Sequence, residues 1–434
     1  MNARPGGCER SGGSRWSRRQ VLRAAAASGL AAAIPRRAGA TAVAAERLAD
    51  RMARAWDVTW SRFFLPRTGL LYDYLGSYEP GRGLAHLPTA AEIARGVPNE
   101  CGYGTGMEDC MISAGTMLSA IVDRHAVTGE PSLRDRALDL VRGIRLCATA
   151  HGVPGFLARS VCHEDLKSIY PNSSRDQYTH AAHGLWLLAR SPLCDAPARA
   201  AIGEILSAIA DRMTRNVTPE NDYDSLRADG SRDTRGISRM WNVKGHEAAR
   251  LPMLYAAAAD VTGRREYLDL CQKYLDPAVA RSHALEDRQP TYAWLQMQGS
   301  LELLDALEKD AGRKARMRSI MAGLSARCAA RAAAADRAAA SLDLTAVGPD
   351  WRTSGGLVGE YRRAWYCIRE SGEAALAQLT DPADGAFPVA QQQLLAAAIQ
   401  RIDFARVSSC GIFHLQAAYW RARRRGLFQP ETPA

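Results

Sequence analysis

Asp176, His180 and His183 stand at i, i+4 and i+7 in the segment from Tyr170 to Leu188, which reads YPNSSRDQYTHAAHGLWLL. On a helix that spacing puts one carboxylate and two imidazoles on a single face. A surface helix usually carries Lys and Glu at such positions. Here the run continues into Leu185, Trp186, Leu187 and Leu188. Polar groups that lead into an apolar helix suit a cleft mouth, where a few polar groups stand on apolar walls. The chemistry they support is proton transfer; the alternative is a buried histidine held by the aspartate as a packing device.

A second set follows a glycine-rich run, Cys101-Gly102-Tyr103-Gly104-Thr105-Gly106-Met107-Glu108-Asp109. The glycine spacing is wrong for a dinucleotide loop and no strand precedes it. Its glycines let the backbone bend, and Glu108 and Asp109 then enter a helix at its positive end. Neighbouring helical residues point about 100° apart, so one of the two, Asp109, is expected to face a ligand. His246-Glu247-Ala248-Ala249-Arg250 begins like a zinc-protease helix, but Arg250 replaces the second histidine. The same-face ligand pair is missing, and no metal or other cofactor is expected. Trp241, Asn242, Lys244 and His246 read better as a binding rim of one flat apolar ring and several hydrogen-bonding groups. Trp351, Arg352 and Tyr361 offer the same types, with packing or a surface ion pair as the plain alternative.

The elements that must position these groups are helical. Ala, Leu and Arg recur at helical spacing, and alternating strand patterns are nearly absent. A unit repeats: a long loop, an apolar helix, a short turn and a more charged helix. Apolar helices are expected to begin near Met107, Asp176, Gly245, Thr291, Gly355 and Gly411. Amphipathic ones are expected near 46–62, 132–150, 196–215, 264–275, 311–340 and 389–403, with Thr128-Gly129, Thr262-Gly263 and Ser371-Gly372 among the turns. Apolar helices want burial and amphipathic ones want a solvent face. Six hairpins in a ring satisfy both, which gives an all-α (α/α)6 toroid over residues 46–434. The first outer helix then pairs with the last inner one. All the long loops fall at one end, where the residues singled out above converge.

The hairpin count, GTGMEDC before one inner helix and SSRDQYTH before the next resemble the six-hairpin glycosidase-like proteins. These are (α/α)6 carbohydrate-active enzymes that include unsaturated glucuronyl hydrolases and glucuronidases. The resemblance implies a glycoside hydrolase acting on a uronic-acid-containing poly- or oligosaccharide that enters at the loop end. Two carboxylates commonly share such work. Asp109 and Asp176 are the expected pair, with His180 and Tyr178 orienting Asp176. Arg175, Lys244 and Arg352 would read a substrate carboxylate. Two other readings remain open: a lyase using His180 or His246 with Tyr178, and a glycan-binding protein without turnover.

The first 45 residues stand apart from this pattern. Ser17-Arg18-Arg19-Gln20-Val21-Leu22, an Ala-rich segment and Ala38-Gly39-Ala40 follow one another as in a twin-arginine signal. Export through the twin-arginine translocase to a periplasm or beyond is therefore expected, without a membrane span. Residues 1–40 hold eight Arg and one acidic residue, hence +7 of the chain's +10. The remaining +3 argues against a nucleic-acid partner. The run Arg421, Arg423, Arg424 and Arg425 suits a helix C-terminus. Nine cysteines follow Cys8 without a CxxC pair, so most are expected as small buried groups, with Cys101 and Cys110 able to form a bridge.

Overall fold

The computed structural model describes residues 47–285 and 289–428, so the leader expected over residues 1–45 lies outside the described residues. The described residues open with α1 (Leu48–Val58), which runs into a π turn at Thr59–Phe63. A two-residue hairpin of β1 (Phe64–Leu65) and β2 (Leu70–Leu71) follows, then the short α2 (Ala90–Ala94). Next come α3 (Cys110–Thr128), α4 (Leu133–Thr149), α5 (Arg175–Ala189) and α6 (Ala196–Asn216). They are followed by α7 (Arg250–Thr262), α8 (Arg265–Ser282), α9 (Thr291–Leu307) and α10 (Ala311–Ala339). The chain ends with the short α11 (Trp351–Ser354), then α12 (Gly359–Thr380), α13 (Val389–Arg401) and α14 (Gly411–Arg424).

Burial sorts the twelve long helices among the described residues into two rings. In α3 every residue from Cys110 to Asp123 is buried. In α4 only one stripe is buried, at Leu133, Ala137, Leu140, Val141, Ile144 and Cys147. Apolar-all-round and one-faced helices differ in this way because only the first kind is enclosed by neighbours. The inner ring runs α3, α5, α7, α9, α12, α14 and back to α3, and α1, α4, α6, α8, α10 and α13 surround it. This is the (α/α)6 toroid. α1 closes the outer ring against α13 and α14, and the Gln416 amide donates to the Thr59 hydroxyl at 2.9 Å.

Short turns after inner helices follow glycine geometry where the spacing indicates. Gly129 and Gly263 take left-handed conformations (φ 67° and 74°), and each donates its N–H back at 2.8 Å, as helix C-caps do. The turn expected at Ser371-Gly372 is absent: α12 runs straight through it. Gly372 serves packing instead, since a Cβ there would lie 2.6 Å from backbone atoms of His414 and Leu415 in α14. Gly115 does the same between α3 and α5, where a Cβ would meet the His180 carbonyl oxygen at 2.0 Å.

Each inner helix returns through an outer one, so all six inner helices point the same way. Their C-termini gather at the short-turn end, where the arginine run meets them. Arg421 is buried and donates to Asp123 (2.5 Å) and Glu302 (2.7 Å); Arg425 donates to the Leu379 and Asp381 carbonyls at 3.2 and 2.7 Å. Cations complement the negative helix ends there. At the other end the six N-termini gather under the long loops. No helix among the described residues is long and apolar enough to cross a membrane.

Candidate active site

The glycine loop places Asp109 by way of Glu108. Gly104 and Gly106 adopt φ of 87° and 86°, a region that L side chains rarely enter. Their N–H groups both donate to the Glu108 carboxylate, at 3.0 and 2.8 Å. Glu108 is therefore a buried clasp on the loop and not a ligand contact. Burial, then the neighbouring Asp109, pushes its carboxyl up to about 7. Asp109 caps α3 with a backbone N–H that donates to the buried Asp73 carboxylate at 2.9 Å. Its own carboxylate is partly exposed. It accepts from Arg369 of α12 at 2.7 Å and Gln177 of α5 at 3.1 Å, with Arg159 at 3.8 Å. Arg369 continues to Glu373 at 2.6 Å, and burial pushes Glu373 up to about 7 despite that guanidinium. Burial, with Glu108 and Asp109 adding repulsion, also raises Asp73 well above the usual carboxylate range.

Asp176 enters α5 one turn away and pairs with Arg250 at the start of α7, a guanidinium that is only 1% exposed. Burial works to raise its pKa, but Arg250, with Arg175 and Arg159 behind it, outweighs that and holds Asp176 below the usual carboxylate range. Burial works to lower the Arg159 pKa, but Tyr103, Cys101, Asp109 and Asp176 together raise it. Arg175 fastens the long loop before α7, donating to the Gly236 and Arg239 carbonyls at 2.5 and 2.9 Å and pairing with Glu247.

Asp176, Arg250, Arg175 and Glu247 open on a cleft of about 1040 Å³ over the starts of α5, α7 and α9, whose lining does not include Asp109. Among the described residues its walls carry Arg175, Arg232, Arg235, Arg239, Lys244 and Arg250 with Asp176, Asp233 and Glu247, and Asp222 beside them accepts Arg232 and Arg239. Asn242, His246 and Tyr292 also line it. Burial pushes Tyr292 up to about 12, with Asp176 adding to it, so its hydroxyl keeps its proton.

Several expected site residues lie elsewhere. His180 is buried, and its ring lines a small axial void with Thr116, Gln296 and Arg421, while Asp176 takes Arg250 as its partner. Burial, then Arg369, pushes His180 down to about 3. Tyr178 is fully buried and its hydroxyl accepts the Leu157 N–H at 3.1 Å, which makes it core and not a tuner of Asp176. Trp241 packs edge-on against Tyr274 at 4.7 Å. Trp351 is buried and donates to the His86 carbonyl at 2.7 Å, and Arg352 bonds Glu92 at 2.8 Å. Tyr361 is buried edge-on to Tyr74 at 5.9 Å. These three fix the segment 84–92 and the loop 348–361 and do not form a rim, because each apolar ring finds a protein partner. Cys101 and Cys110 are free and buried; the Cys101 sulfur accepts from Arg235 at 2.8 Å. Among the described residues no group of three or more His, Cys, Asp or Glu is placed to hold a metal ion.

Sequence reasoning missed Arg159, Gln177, Tyr292, Arg369 and Asp73, and read Arg250 only as a lost zinc ligand. One signal was available for Arg369. Arg369 and Glu373 stand at i and i+4 on α12, the spacing of a helical ion pair.

No protein-family model matches the chain, and no curated protein matches it. Among solved structures, a sugar epimerase from a ruminal bacterium aligns at TM-score 0.46 and 12% identity, over 88% of this chain and 100% of that one. The alpha-1,6-mannanase of Salegentibacter sp. HEL1_6 aligns at TM-score 0.37 and 13% identity, over 76% of this chain and 98% of that one. An inactive variant of that mannanase, in complex with alpha-1,6-mannotetrose, aligns at TM-score 0.36 and 14% identity, over 76% and 100%. The toroid assignment rests on the closed ring of helices itself.

Proposed function

We propose that this protein is an exported enzyme that cleaves a glycosidic bond in a uronic-acid-containing poly- or oligosaccharide. The observation that carries the reading is the cleft, whose described lining is rich in arginine above the N-termini of inner helices. Helix N-termini and excess guanidinium groups both favour an anion, and planar guanidinium groups pair well with a carboxylate. In this reading Arg175, Lys244 and Arg250 receive the uronate. Asp176, held ionised by Arg250, acts as base or nucleophile. Asp109 lies outside the lining of that cleft and is the partly exposed member of a carboxyl cluster whose buried members, Asp73 and Glu108, keep their protons to higher pH. It delivers the proton to the leaving oxygen. Glycoside cleavage commonly divides its acid and base work between two carboxyl groups.

Tyr292 favours a second reading, a lyase. Its protonated hydroxyl lies close enough to Asp176 to feel that charge. It would protonate the leaving oxygen, while Asp176 or His246 removes the proton beside the uronate and Arg175 neutralises the carboxylate. The products separate the readings. Hydrolysis of uronate oligosaccharides adds one water to the summed product mass. Elimination adds none and creates a double bond that absorbs in the near ultraviolet. A panel in which only neutral glycans are cleaved would refute both readings.

A further inference from the structure

The cations of the cleft are not matched evenly. Deep in it each guanidinium has its own carboxylate: Arg250 pairs with Asp176, and Arg175 with Glu247. At the outer edge one carboxylate serves two. Asp222 accepts both Arg232, at 2.6 Å, and Arg239 on the same oxygen, Oδ2. Their side chains are 51% and 35% exposed, and both line the cleft that holds Asp176. The pair is also held in place. Asp222 sits at φ 52°, Arg239 is bridged to Asp224 across the loop, and the Arg239 carbonyl accepts Arg175 at 2.9 Å. Arg232 and Arg239 each spend one terminal nitrogen on Asp222, which leaves their other N–H donors unused at the cleft.

We propose that Arg232 and Arg239 form an outer subsite for a second anionic group, so that the ligand is an oligosaccharide acidic on more than one sugar. The inference rests on the anionic-glycan reading above and deepens it. The inner cations take the uronate next to the scissile bond, and the outer pair takes the carboxylate of a neighbouring sugar. The outer anion adds binding without touching the reacting atoms. Its effect therefore falls on affinity, and it weakens with salt as exposed charge pairs do.

Titration calorimetry with galacturonic acid, digalacturonate and trigalacturonate tests this. Wild-type protein should gain about tenfold or more in affinity between the monomer and the trimer, the scale of one charge-assisted contact. Arg232→Gln and the double variant Arg232→Gln/Arg239→Gln should lose most of that gain and bind the monomer as wild type does. The single variant leaves Asp222 paired with Arg239, so its fold is secure and an unchanged melting temperature confirms it. The inference is overturned if wild type binds the monomer but gains nothing with length, or if the variants keep the full gain. A wild-type protein that binds none of the three overturns the anionic-glycan reading itself, and this subsite with it.

Discussion

Arg421→Met should cost the protein about 3–5 kcal/mol, the scale for leaving a buried charge without its partner. Arg421 is almost fully buried where α3, α9 and α14 end. It donates to Asp123 at 2.5 Å, Glu302 at 2.7 Å and Ser119 at 3.3 Å. Asp123 is 0% exposed, and without Arg421 only the half-exposed Arg424 still reaches it, at 2.7 Å. The Glu302 carboxyl supplies an independent figure. Burial works to raise it, but Arg421 and His183 outweigh that and move it from an ordinary 4.5 down to about 2. At about 1.4 kcal/mol per pH unit, that displacement is worth about 3 kcal/mol, shared between Arg421 and His183, so it sets an upper bound on the part that Arg421→Met removes. A carboxyl lowered on folding stabilises the fold above its unfolded value and loses that stabilisation as pH falls through its folded value. The difference between wild type and variant should therefore be full above about pH 5 and should shrink toward pH 2. Urea unfolding at several pH values measures it. A loss under about 1 kcal/mol, the scale of an exposed ion pair, would refute this account of the closed end.

Asp176→Asn and Asp109→Asn should each lower turnover at least about a hundredfold on an oligosaccharide that wild type cleaves. Each should also lower stability by about 1–3 kcal/mol in urea titrations, because Arg250 and Arg369 lose a carboxylate while buried. Full activity in both variants would remove the pair from the mechanism. Trp186→Ala should cost about 3–5 kcal/mol without a change in substrate preference, since Trp186 is 3% exposed and donates to Asp260 at 2.9 Å. Replacing both Arg18 and Arg19 by Lys should stop accumulation outside the cytoplasm and leave the melting temperature of the purified protein unchanged; normal export of that variant would refute the twin-arginine reading.

Periodicity and loop chemistry carry the architecture in the sequence. Thr291 and Gly411 begin α9 and α14 where the apolar runs begin, and Gly129 and Gly263 end α3 and α7 as caps. Gly372 was misread because a glycine in a turn and a glycine under a crossing helix look alike along one chain. Only α14 laid across it tells them apart. The site is legible only in part for the same reason. Asp109 and Asp176 show themselves through local signals at helix starts. Their partners come from distant segments: Arg369 stands 260 residues from Asp109, and Arg250 stands 74 residues from Asp176. Aromatic residues in the loops were equally ambiguous. Trp351 and Tyr361 sit among polar neighbours like sugar platforms, yet His86 and Tyr74 enclose them.

In the proposed complex an acidic glycan lies in the cationic cleft beside Asp176, with its scissile bond extending toward Asp109 at the start of α3. A crystal structure of the Asp176→Asn variant with trigalacturonate tests it most directly. The account predicts one carboxylate within hydrogen-bond distance of Arg175 or Arg250, and a glycosidic oxygen within reach of Asp109. A ligand seated elsewhere on the toroid, or an empty cleft at saturating trigalacturonate, would contradict it.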